Sequence, residues 1–75
     1  MATPTHLYSR RLDHDGHVRH FSVEANNGSG WRVVDEQDER PVHEHTYDDW
    51  HRVELAMSRF VLEAARLRRE GWSDA

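Results

Sequence analysis

From residue 6 onward, apolar and polar residues alternate over 7–13 and again over 17–25, on either side of Asp15-Gly16. A period of two sends successive side chains to opposite faces of a strand. An Asp-Gly pair adopts the positive φ angles of a two-residue type I′ turn. A hairpin with strands at about 6–13 and 17–25 is therefore expected. With His14 opposite His17, the pairs Leu12/Arg19, Arg10/Phe21 and Tyr8/Val23 share one face, and Asp13/Val18, Arg11/His20 and Ser9/Ser22 share the other. The first of these is the apolar face.

Asn26-Asn27-Gly28-Ser29-Gly30 reads as a second turn, and Trp31, Val33 and Val34 mark a third strand at about 31–36. The acidic stretch 35–40 with Pro41 closes a third turn, leading to a shorter fourth strand at 42–46. The helix is the clearest local signal. Trp50, Val53, Met57, Phe60, Ala64 and Leu67 repeat at intervals of three and four, which makes one apolar stripe. Thr46-x-x-Asp49 resembles a capping box. Arg66, Arg68 and Arg69 suit the C-terminal end of the helix dipole, and Gly71 followed by Trp72 suits a Schellman ending against Leu67. The helix is placed at about 47–70.

The expected fold is α+β: an antiparallel β-meander of three or four strands covered on one face by a C-terminal helix, with residues 1–5 as a flexible arm and 6–75 as one domain. The helical stripe also has heptad spacing, but over barely three heptads, so an isolated coiled coil is the weaker reading.

Composition sharpens this picture. The 75 residues contain no Cys, 36% are hydrophobic and 32% charged, and mean hydropathy is −0.99. One small domain with a thin core follows, without disulfide staples, and such a domain gains from self-association. All ten basic residues are Arg, and Lys and Ile are both missing. Their codons are A/T-rich, so the composition points to a G/C-rich bacterial genome. A formal charge of −4 does not favour a nucleic-acid or anionic-membrane surface. No apolar run exceeds three residues, so neither a membrane span nor a signal-peptide core is expected, and the cytoplasm is the default location.

Three groups of residues are candidates for chemistry. Leu55 and Leu62 project opposite the apolar stripe, beside Arg59 and Arg66. This second helix face is read as the interaction site of a homodimer or of a small protein partner. Arg59/Glu63 and Arg66/Glu70 are also ordinary i,i+4 pairs of a solvated face. Arg11, His20 and Arg32 lie on the outer sheet face with Ser9 and Ser22, and would be the contacts of a single-stranded nucleic-acid binder. The element order is similar to that of PUR-type and whirly-type modules, which implies such an activity only by analogy of fold. His43-x-His45 places two imidazoles on one strand face, the makings of a weak transition-metal site, with His14, His17 and His20 elsewhere among seven His. No cofactor is expected. The serines lack a G-x-S-x-G context, Gly28 and Gly30 lack the Lys and helix of a P-loop, and Trp31, Trp50 and Trp72 are assigned to the core, so no enzymatic role is expected.

Overall fold

The computed structural model describes residues 6–26 and 28–75. The arm expected at 1–5 lies outside them. Strands β1 (His6–His14), β2 (His17–Ala25), β3 (Trp31–Gln37) and β4 (Arg40–Tyr47) lead into helix α1 (Trp50–Arg69) and a short β5 (Ser73–Asp74). The sheet is antiparallel, in the order β4-β3-β2-β1-β5. The expected meander and C-terminal helix are both present.

The first hairpin has the register that its turn dictates. His14 faces His17, and Leu12/Arg19, Arg10/Phe21 and Tyr8/Val23 are partners. Asp15 and Gly16 have φ of 50° and 80°, as a type I′ turn requires. The hairpin of β3 and β4 departs from expectation. Its turn is only Asp38-Glu39, both at positive φ (54° and 67°), so β3 runs to Gln37 and β4 begins at Arg40. Pro41 stands inside β4, which is tolerated because β4 is an edge strand.

At the helix start, Thr46 is not the cap. It pairs with Arg32 in β4, and Asp49 caps instead, its carboxylate accepting from the His51 N–H at 3.0 Å. Three residues of the predicted helix thus remain in the strand and its exit. The other end is a Schellman motif: the Trp72 N–H reaches the Leu67 carbonyl at 3.0 Å and the Gly71 N–H reaches that of Arg68 at 3.1 Å, with Gly71 at φ 106°. This reversal lets β5 pair with β1, a strand too short to be foreseen.

The core joins Leu12, Phe21, Val23 and Val33 of the sheet to Val53, Phe60, Ala64 and Leu67 of the helix. Phe60 stacks on Phe21 (4.9 Å between centroids) and on Tyr8 (6.2 Å). The helix lies diagonally across the sheet. Its first residue, Trp50, meets Trp31 at the start of β3, and its last turn leads to Trp72 against His14 at the end of β1. Trp31 and Trp72 are half-buried, whereas Trp50 is 40% exposed and closes the edge of the core rather than filling it.

Candidate functional site

Because α1 crosses the sheet diagonally, it leaves two surfaces uncovered. The first is its own outer face. Leu55, Val61 and Leu62 are 50%, 56% and 70% exposed. The period of the helix foretold Leu55 and Leu62. Val61 was missed because it lies at the margin of the inward stripe, where position alone does not decide exposure. Arg66 is held by Glu63 three residues back and Glu70 four ahead, and this clamp raises its pKa while lowering that of Glu63, chiefly through their mutual hydrogen bond. Arg59 does not pair with Glu63 as its spacing suggested. It turns toward the second uncovered surface.

That surface is an open groove of about 570 Å³ between α1 and the inner face of β4. His43, His45 and Tyr47 face Asp35, Val33 and Trp31 in the register, so they share the face of the core residue Val33. Apolar Phe21, Val33, Ala56 and Phe60 line the groove, with Arg59 and Glu63 on its helix side. Arg19 and Asp35 also line it, as a largely buried ion pair with contacts of 3.0 to 3.3 Å, and the Arg19 guanidinium lies 5.1 Å from the Phe21 ring centroid. His45 and Tyr47 pack ring to ring at 4.4 Å. The sequence hinted at this surface only through the alternation of His43 and His45.

His43 and His45 thus share a face, but among the described residues no three His, Asp or Glu side chains come together as a metal site. His14, His17 and His20 have separate neighbours: Trp72 and Asp15 for His14, Asp38 for His17, and Ser9 with Glu36 for His20.

The outer sheet face is acidic and internally paired. Arg32 bridges Glu24 and Glu44 across three strands, and these carboxylates, Glu24 first, raise its pKa. Arg11 stands exposed beside His20, while Ser22 is buried at mid-sheet and is not presented to solvent as expected. Asp13, Glu24, Glu36 and Glu44 outnumber Arg11 and Arg32 on this face, a poor match for phosphates. Ser9 Oγ lies 2.9 Å from His20 Nε2, with Glu36 3.6 Å from the other ring nitrogen. The order evokes a nucleophilic triad, but 3.6 Å exceeds a hydrogen bond, and beside His20 there is only a hollow of about 90 Å³. The three form a polar cross-strand ladder.

Among the described residues, no helix is long and apolar enough to cross a membrane. The chain matches no family model, no curated protein and no solved structure.

Proposed function

We propose that this chain is a small, non-enzymatic protein-interaction or regulatory module of the bacterial cytoplasm that self-associates through the outer face of α1. The observation that carries this reading is the exposure of Leu55, Val61 and Leu62 on a helix whose opposite side already covers the sheet. Single exposed apolar residues are ordinary, but three on one helix, in a domain with a thin core, favour burial against a partner.

The charges flanking the face suit a second copy. In an antiparallel helix pair with its two-fold axis at Val61, residues equally distant from Val61 meet. Arg52 then faces Glu70 and Glu54 faces Arg68. By helical phase the first pair falls on one flank and the second on the other, as an isologous contact requires.

Sedimentation equilibrium tests the reading. Wild type should run as a dimer at about 100 μM, well above the Kd of a micromolar complex, and Leu55→Glu/Leu62→Glu as a folded monomer. Glu70→Arg alone should weaken association, and adding Arg52→Glu should restore part of it. A monomeric wild type, or an unchanged mass in the double Glu variant, overturns the proposal.

A further inference from the structure

A second inference concerns β4 and the groove beside it, and needs neither Leu55 nor Leu62 of the outer helix face. β4 is the terminal strand of the sheet, and none of its residues is buried. The two-residue turn makes Gln37 and Arg40 a hydrogen-bonded closing pair. The next residue, Pro41, therefore falls where the backbone points away from β3, and its missing N–H costs nothing there. Val42 is the extra residue of a bulge between Asp35/His43 and Glu36/Pro41. Beyond it the alternation turns the N–H and C=O of Glu44 and Thr46 away from β3. The second half of β4 is thus a regular edge with outward main-chain donors and acceptors, and the groove runs alongside it.

The groove selects a kind of occupant. An added strand would lie about 4.8 Å beyond β4 and point every second side chain to the groove side, next to His43, His45 and Tyr47. Apolar side chains there can cover Val33, Ala56 and Phe60. The charges decide the rest. Arg19 is spent on Asp35, Glu44 on Arg32 and Glu63 on Arg66, whereas Arg59 has no ion-pair partner among the described residues. The uncommitted charge in the groove is positive. A second copy of β4 is a poor occupant: antiparallel pairing about the strand midpoint would bring Glu44 of each copy together, and Pro41 and the bulge guard the rest of the edge.

We propose that β4 and its groove take up an acidic, extended peptide segment of a partner protein as a sixth strand. A carboxylate of the segment binds Arg59, and an apolar side chain two residues away, on the same face of the added strand, packs toward Val33 and Phe60.

Fluorescence anisotropy at low salt tests this with the labelled octapeptide valine-threonine-glutamate-threonine-valine-threonine-glutamate-threonine, which presents valine and glutamate on one face, compared with its counterpart carrying lysine in place of glutamate. The acidic peptide should bind at least about tenfold more tightly. Arg59→Glu should abolish or reverse that preference. Thr46→Pro removes an outward N–H without breaking the ladder to β3, and should weaken binding by a similar factor. N-methylating alternate peptide nitrogens should do the same to binding by wild type, with the protein untouched, so a folding defect in Thr46→Pro cannot imitate the result.

Equal binding of the two peptides overturns the proposal, as does indifference to N-methylation. Displacement by an eight-nucleotide oligothymidylate at lower concentration than by unlabelled acidic peptide would make the site one for nucleic acid. A fall in the protein's own mass on Thr46→Pro would give the edge to a second copy. The peptide should still bind Leu55→Glu/Leu62→Glu, so this proposal and the dimer stand or fall separately.

Discussion

Strands β2 and β4 have almost the same length, nine and eight residues, and lie two places apart in one sheet. β2 buries Phe21, Ser22 and Val23, while β4 buries nothing. Both alternate their side chains, so the difference lies in what covers them. The helix packs its stripe on Phe21, Val23 and Val33, whereas an open groove lies between it and β4, and β2 has a neighbour on each side where β4 has one. Folding energy is thereby concentrated in β1, β2, β3 and α1, which leaves β4 free to hold a surface that contributes little to stability.

The strongest test of this contrast is Phe21→Ala. Phe21 is fully buried and stacks on Phe60, so its truncation should cost about 3–5 kcal/mol. Native domains are stable by only about 5–15 kcal/mol, and a small one sits toward the low end. Urea unfolding should find Phe21→Ala largely unfolded at 25 °C. A loss below about 1 kcal/mol would mean that β2 is not the centre of the core.

Gly30→Ala probes the join between the two regions. Gly30 has φ 79°, and a methyl group there would collide with the carbonyl oxygen of Tyr47, the last residue of β4. The substitution should cost more than about 1 kcal/mol. Amide shifts should move at Trp31, Tyr47 and Asp48 while those of the first hairpin stay in place. Shifts spread evenly over the sheet would show that the β4 end is coupled rigidly to the core.

The two-residue turns of the first and third hairpins explain how much was legible in the chain. Asp15-Gly16 announces itself because Gly prefers the positive φ that the turn needs. Asp38-Glu39 carries no such mark. It is held by contacts from a neighbouring strand: Asp38 accepts from the Val18 N–H and contacts His17, both at 2.9 Å, and its own N–H donates to the Val18 carbonyl at 2.8 Å. That preference is tertiary, so the limits of β3 and β4 were read too short. Thr46 illustrates the same competition, since a good cap in isolation is drawn into the ladder opposite Arg32. The outer helix face was readable from a 3.6-residue period, but the groove depends on the crossing angle of α1, which no local pattern encodes.

Asp38 supplies a smaller, pH-dependent test of that turn. Its hydrogen bond with His17, followed by that from the Val18 N–H, lowers its pKa below the ordinary 3.8. A depressed carboxylate pKa stabilises the fold above the unfolded value, and the contribution fades as pH falls through the folded value. The difference in Tm between wild type and Asp38→Ala should therefore shrink as pH falls below about 4. A difference that persists unchanged in acid would assign the effect of Asp38 to backbone conformation alone.

The smallest expected effect is the most pointed one. His45 pairs with Val33 across β3 and β4, so the two residues share a face and differ in cover: Val33 is buried and His45 exposed. Thr is at home in a strand, and His45→Thr gives up mainly the ring contact with Tyr47. Stability in urea should change by no more than about 0.5 kcal/mol, as for other surface sites. A loss above about 1 kcal/mol would show that the groove wall supports the fold. β4 would then belong with β2 in one cooperative core, and the division of labour within the sheet would not hold.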